Sequence, residues 1–214
     1  IIREGSGFGG DTKFRILGFD GESRVYIDRR CHFANTKFLM YNHPATSGIF
    51  IDEDCTFGLN LGLHANGGKK IVIGRDCMFS FDIQLQAGDG HSIFDVKTGK
   101  NTNSIFHPDE TVKNMIMLGE HTWVSSRTFI LNGTNIGNGS IIGGNSTVKG
   151  VFPNNCVIAG NPAKLVKKDN AWSRYNCTED INTCGRKEYV ALTNNALPAL
   201  NGKNVLVIGG TRFM

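Results

Sequence analysis

Aliphatic residues recur along this chain every six positions. Leu118, Val124, Ile130, Ile136, Ile142 and Val148 stand in register, and 18 residues separate Leu118 from Ile136. A five-residue unit repeats with them: an aliphatic residue, Gly or Asp, two further residues that are mostly polar, then a small one. It reads Ile27-Asp28-Arg29-Arg30-Cys31, Ile51-Asp52-Glu53-Asp54-Cys55, Ile73-Gly74-Arg75-Asp76-Cys77, Leu118-Gly119-Glu120-His121-Thr122 and Ile136-Gly137-Asn138-Gly139-Ser140. The spacing is 24 residues from Ile27 to Ile51 and 22 from Ile51 to Ile73, so short insertions interrupt the earlier turns.

A period of six fits neither the 3.6 of an α-helix nor the 2 of an alternating strand. It predicts a strand of about four residues followed by a turn of about two, stacked as a solenoid. Three such hexads close a triangular coil, and successive coils hydrogen-bond at ~4.8 Å. The aliphatic residue points inward, the Gly or Asp sits at a corner, and the small residue fills the narrow space inside the next edge. Cys31, Cys55 and Cys77 then form a buried ladder with Thr122 and Ser140, because free Cys packs as a small hydrophobe. Residues 1–26 are expected to form a first, irregular coil, and the repeat to run from Ile27 to Val166.

Composition agrees with a folded, turn-rich chain: 214 residues, 40% hydrophobic, 27 Gly and only 5 Pro. No run approaches the ~18 apolar residues of a membrane span. The net charge of +4 suits an anionic small ligand and implies no nucleic acid, since basic and aromatic residues are not interleaved. Six Cys without a Cys-x-x-Cys pair argue against a zinc ribbon. The absence of a signal-peptide pattern points to a cytoplasmic protein, although the chain opens Ile1-Ile2-Arg3 and a trimmed start stays open.

The end of the repeat carries a sharper pattern. Ile136-Gly137-Asn138-Gly139-Ser140-Ile141-Ile142-Gly143-Gly144-Asn145-Ser146-Thr147-Val148 leads to Val157-Ile158-Ala159-Gly160-Asn161-Pro162-Ala163-Lys164. The closing Ala-Gly-Asn-Pro-Ala-Lys resembles the hexapeptide-repeat acetyltransferases. Ala87-Gly88-Asp89-Gly90-His91-Ser92-Ile93-Phe94-Asp95 and Leu118-Gly119-Glu120-His121-Thr122-Trp123-Val124 resemble the subgroup that O-acetylates surface polysaccharides or their precursors. The resemblance implies an all-β fold, a left-handed parallel β-helix, against the usual right-handed crossover rule. It also implies acetyl-CoA as co-substrate, a small sugar acceptor, a homotrimer and no metal.

One insertion breaks the period. The hexads stop at Gly90 and resume at Leu118, leaving a loop over 91–117; segments that long are usually functional or mobile. His91 is its first residue and the candidate general base, because a neutral imidazole near physiological pH can take a hydroxyl proton. Asp89 is expected to orient that imidazole, to bind substrate, or to cap a turn. Asp82 is either an acceptor contact, where relatives often carry Asn, or a corner residue. Asp95 is expected to stabilise the loop. Trp123 is too bulky for the prism interior and should face outward, towards acceptor, loop or a neighbouring subunit. By resemblance, Ser125 narrows the pantetheine groove or else points away from it, Gly143 and Gly144 offer amides to pantetheine or else form tight corners, and Lys164 and Lys167, with Lys168 beside them, meet the 3′-phosphate of coenzyme A or else form a solvated basic edge.

His64, His91, His107 and His121 raise a γ-class carbonic anhydrase, which has this fold and a three-His zinc site; their spacing fits it poorly. N-acetylation of a nucleotide-linked amino sugar stays open, as does a catalytically silent β-helix used for binding or assembly. The domain reading is a β-helix over 1–168, an extension over 169–202 anchored by Trp172 and Tyr175, and a further segment over 203–214. Cys177 and Cys184 in the extension receive no role. The final Asn204-Val205-Leu206-Val207-Ile208-Gly209-Gly210-Thr211 resembles the first strand and phosphate loop of a Rossmann-like epimerase domain, which implies a covalent fusion.

Overall fold

A computed structural model describes residues 1–18, 23–42, 46–103 and 115–174. Twenty strands form three sheets, and among the described residues there is no helix. One face of the prism carries β1 (Gly7–Phe8), β4 (His32–Phe33), β7 (Thr56–Phe57), β10 (Met78–Phe79), β13 (Trp123–Val124), β16 (Ile141–Ile142) and β19 (Val157–Gly160). The second carries β2 (Lys13–Gly18), β5 (Thr36–Asn42), β8 (Leu61–Asn66), β11 (Gln84–Ala87), β14 (Phe129–Leu131) and β17 (Thr147–Val148). The third carries β3 (Ser23–Ile27), β6 (Ser47–Ile51), β9 (Lys70–Ile73), β12 (Met115–Leu118), β15 (Asn135–Ile136) and β18 (Val151–Phe152). Each strand pairs in parallel with its counterparts one coil away, so the chain winds as a three-sided parallel β-helix of six full coils.

The hexad aliphatics form its core. On the third face Ile27, Ile51, Ile73, Leu118, Ile136 and Phe152 stack in register. Phe14, Phe38, Leu63, Leu85, Ile130 and Val148 do so on the second. On the first, Phe8, Phe33, Phe57 and Phe79 stack before Val124, Ile142 and Ile158 continue the column. The rings of Phe33 and Phe57 lie 4.4 Å apart and within 3° of parallel. Stacking of identical inward positions keeps the section constant from coil to coil, so each coil buries its neighbours' apolar surface.

The small-residue ladder stands as expected. Cys31, Cys55, Cys77, Thr122, Ser140 and Cys156 are buried, and each donates to a main-chain carbonyl: Cys31 to Asp52 at 3.0 Å, Cys55 to Gly74 and Cys77 to Gly119 at 3.2 Å. Burial pushes the Cys55 thiol well above its usual range, which keeps it protonated and unreactive.

Three details differ from the sequence reading. The described residues of the first coil, 1–18 and 23–26, are not irregular: β1, β2 and β3 pair along their whole length with the next coil. The insertion ends earlier, because β12 begins at Met115, which pairs with Lys70. The winding also stops before Val166. After Gly160 the chain turns back, and β20 (Ala163–Lys167) runs antiparallel to β19.

Beyond β20 a short strap, residues 169–174, returns along the corner between the third and first faces. Trp172 is buried there with 6% of its surface exposed. Arg174 reaches across two coils to Asp76 Oδ1 at 2.6 Å, the Thr56 hydroxyl at 2.8 Å and the Cys77 carbonyl at 2.8 Å. Trp172 anchors the described start of the extension, residues 169–174, against the side of the prism at His121. Tyr175, Cys177, Cys184 and the segment 203–214 lie outside the described residues.

Candidate functional site

The insertion leaves the prism at the corner between the second and third faces, in the fourth coil. Gly88 makes the departure, with φ of 128°. A Cβ there would lie 3.0 Å from the Asn66 carbonyl and 3.3 Å from Cγ of the buried Lys69, so both the backbone angle and the space require glycine. Asp89, Gly90 and His91 follow as exposed residues. His91 therefore sits where a rigid coil meets the insertion, as the sequence suggested, and such a junction places a group more accurately than a loop tip.

Asp89 does not hold the imidazole. Its Oδ2 accepts from Nδ2 of Asn103 at 2.9 Å, and the His91 ring has no hydrogen-bond partner among the described residues. Asp95 caps the turn that follows, its Oδ1 accepting from the N–H groups of Lys97 and Thr98 and from the Thr98 hydroxyl. Those bonds to Thr98 and Lys97 hold its carboxyl below the usual range, so its expected loop-stabilising part is what the structure shows.

Asp82 stands elsewhere. It occupies the corner between the first and second faces with φ of 58° and accepts from Asn60 Nδ2 at 2.9 Å. The length of β11, ~13 Å at about 3.3 Å per residue, separates it from the His91 corner. Within one chain Asp82 and His91 do not face a common region.

The same first-to-second-face corner carries the expected coenzyme edge. Ser125, Gly143 and Gly144 stack there in consecutive coils: a Cβ on Gly144 would lie 3.9 Å from that of Ser125 and 3.2 Å from the Ser126 carbonyl. The N–H groups of Ser125 and Gly143 are spent on the ladder, donating to Ile142 and Ile158 at 2.9 and 2.8 Å. The Gly144 N–H has no partner among the described residues. Lys164 pairs with Ala159, next to Gly143, and Lys167 pairs with Val157. A register shift in β19–β20 puts both lysines on the outer side of the sheet, since directly paired residues share a face.

Trp123 faces outward from β13, but its neighbour is the chain itself. Its ring lies 5.9 Å from that of Trp172 and tilted by 44° to it, so the strap packs beside it and leaves it half-buried. The other histidines disperse. His64 points out from β8, its pKa pushed down by burial and by Lys37, and His121 lies under the strap. His107 is outside the described residues. Among the described residues no three His, Cys, Asp or Glu side chains converge on a metal position, and no helix is long and apolar enough to cross a membrane.

Sequence reasoning missed Asn103, Lys69 and Arg174. Asn103 and Arg174 lie outside the hexads, and Lys69 occupies a corner turn between β8 and β9, so no period marks any of them.

No family model matches the chain. A polysialic acid O-acetyltransferase of Escherichia coli O1:K1 / APEC is 43% identical over 93 residues, 44% of this chain and 28% of that relative's length. Among solved structures, the polysialic acid O-acetyltransferase OatWY superposes with TM-score 0.54 at 22% identity over 80% of this chain and 96% of its own. The polySia specific acetyltransferase NeuO gives TM-score 0.52 at 26% identity, over 84% and 83%. AntD, an N-acyltransferase from Bacillus cereus in complex with dTDP-4-amino-4,6-dideoxyglucose and coenzyme A, gives 0.51 at 13% identity over 74% and 84%. The fold is the left-handed parallel β-helix of the hexapeptide-repeat acyltransferases. The chain is similar to them in fold and, over 93 residues, similar in sequence to a polysialic acid O-acetyltransferase, of which it spans 28%.

Proposed function

We propose that this chain is an acetyl-CoA-dependent O-acetyltransferase that modifies a sugar hydroxyl of a surface polysaccharide or its precursor, with His91 as general base. The observation that carries the reading is the 43% identity over 93 residues to a polysialic acid O-acetyltransferase. A sialic acid polymer is accordingly the first acceptor to test.

Acetyl-CoA would supply an acetyl group activated as a thioester. The chain's residues suit that ligand: Gly143 and Gly144 put no side chain on the edge, the Gly144 N–H has no partner among the described residues, and Lys164 ends the same edge with a positive charge. His91 would take the acceptor hydroxyl proton as the oxygen becomes nucleophilic, and hold it until release. Lys164 and Lys167 would bind the 3′-phosphate.

The base and the open edge lie on different corners of one prism. A centre that uses both needs the edge of one copy beside the His91 corner of another, which supports a homotrimer in which each coenzyme contacts two chains.

Incubation with acetyl-CoA and a panel of sugars, polysialic acid and amino sugars among them, tests the reading by release of free thiol. Acetyl-ester formation on a sugar hydroxyl is the expected result. Transfer to an amine alone would reassign the chain to N-acetylation, and no thiol release with any acceptor, together with no acetyl-CoA binding, would leave a binding or assembly module.

A further inference from the structure

The first part of the insertion folds as a short hairpin. Phe94 bridges to Asn101 in antiparallel fashion. The Asp95 N–H donates to the Lys100 carbonyl at 2.9 Å, and the Thr102 N–H to the Ile93 carbonyl at 2.8 Å. At the open end of this hairpin, Asn103 reaches back to its root. Its Nδ2 donates to Asp89 Oδ2 at 2.9 Å and to the His91 carbonyl at 2.7 Å, and its Oδ1 accepts from the Ile93 N–H at 3.1 Å.

These three bonds fix the orientation of the amide. Its donors meet a carboxylate and a carbonyl, and its acceptor meets an N–H, so a flipped side chain would set like against like. The three partners are alternate residues, 89, 91 and 93, and together they bracket His91. Among the described residues, the other bonds to that stretch are those from the Thr102 N–H and hydroxyl to the Ile93 carbonyl, at 2.8 and 3.1 Å. Asp89, Gly90 and His91 are exposed, and a Cβ on Gly90 would meet nothing within 4 Å. The carboxylate that might have steered the imidazole is itself held by Asn103.

We propose that Asn103 is the positioning residue of the site, acting through His91: its carboxamide replaces the missing coil as the template for the 89–93 backbone. The assignment rests on His91 being the general base. A base must be placed within about 0.5 Å to act well, and a displacement of about 1 Å can cost ~10²-fold in rate.

A double-mutant cycle on the full chain tests this, with turnover, KM for acetyl-CoA and thermal melting measured for each variant. Asn103→Ala is expected to lower kcat by ~10–100-fold, with KM for acetyl-CoA within about twofold, because a residue that positions the base contributes little to ground-state binding of the thioester. In a His91→Ala background the same change should cost no further activity, since a residue acting through His91 has nothing left to position. Asn103→Asp removes both donors and sets a carboxylate against Asp89; adding Asp89→Asn restores one N–H···O bond and should recover part of the loss. That swap decides the matter if Asn103→Ala melts early.

Asn103→Ala retaining more than half of the parent turnover while His91→Ala is inactive would overturn the positioning role and leave the base in place. An equal further loss in the His91→Ala background, or no recovery in the swap, would overturn it too. If His91→Ala itself keeps full turnover, the base assignment has failed, and with it the ground for this one.

Discussion

The indole of Trp172 lies flat on the imidazole of His121, ring centres 4.0 Å apart and planes within 5°. The contact is reciprocal along the main chain: the Trp172 Nε1–H donates to the His121 carbonyl at 2.8 Å, and His121 Nε2 faces the Trp172 carbonyl at 3.0 Å. On the other side of the ring, His121 Nδ1 lies 2.7 Å from Asp76, which also receives Arg174. Fifty-one residues separate the two rings in sequence, so the strap ties residues 169–174 back to the middle coils of the prism.

Trp172→Ala is expected to cost about 3 kcal/mol, the low end for emptying a buried aromatic site, read from denaturant unfolding. Arg174→Ala should cost about 1–3 kcal/mol through the hydrogen-bonded charge left without its partner at Asp76. Trp172→Ala unfolding within about 0.5 kcal/mol of the parent would mean that the strap adds nothing to global stability, the usual range for a neutral surface change.

Acid should destabilise the fold in two separate windows. Burial and Lys37 depress the His64 pKa. As pH falls below about 6.5, the ordinary histidine value, the unfolded chain gains a proton there before the folded one does, and stability drops until the folded pKa is reached. Asp76 acts lower down. Burial raises its pKa, but the hydrogen bonds from His121 and Arg174 and the Arg174 charge outweigh this and leave it depressed. Its contribution is full above about pH 4 and is lost as pH falls through the folded value. His64→Gln should remove the upper step of a melting-temperature profile, and Asp76→Asn should reduce the lower one, to which Asp54 and Asp95, also held below the usual carboxylate range, contribute. A profile unchanged by either variant would contradict these assignments.

His91→Ala should leave melting and acetyl-CoA affinity nearly unchanged, because the side chain is exposed and a general base contributes little to ground-state binding of a thioester. Turnover should fall by ~10²–10⁴, the range for losing a positioned acid–base group. A second variant, Gly144→Val, should block the coenzyme edge and be inactive with His91 intact. Mixed, unfolded and refolded together, the two inactive chains should regain activity if each centre takes His91 from one copy and Gly144 from its neighbour. Mixed oligomers that stay inactive would place both within one chain, or neither in the site.

Lys164→Glu and Lys167→Glu should weaken acetyl-CoA more than its 3′-dephospho analogue, because the lost charge is aimed at that phosphate. Calorimetric titration showing equal losses for both ligands would remove these lysines from the coenzyme site.

The sequence shows the prism because its rule is local and repeated. Ile27, Ile51, Ile73, Leu118 and Ile136 announce one column, and the Cys, Thr and Ser after them announce a second. The reason for glycine beside the aliphatic residue was not legible. Gly119 and Gly137 take ordinary φ, yet a Cβ on Gly119 would lie 2.7 Å from the Asn138 nitrogen and one on Gly137 would crowd the Asn154 main chain, a demand set by the next coil. His91 stands out as a candidate in the sequence because a motif and the end of a period coincide there. Asn103 was not, since its importance depends on a hairpin that brings it back beside residues 12 and 14 positions earlier. The packing of Trp172 beside Trp123 was hidden for the same reason: the strap lies outside the repeat, and only the backward turn at Gly160 brings it there.

The four buried thiols described above are spaced along the axis: Cys31 in the second coil, Cys55 in the third, Cys77 in the fourth, and Cys156 beside β19 at the far end. Each becomes open to a small alkylating reagent only when its own coil parts from the next. The molecule thus carries a built-in ruler for its own opening. Mass-resolved labelling under native conditions would register which end frays first and how far each opening travels, with no probe introduced.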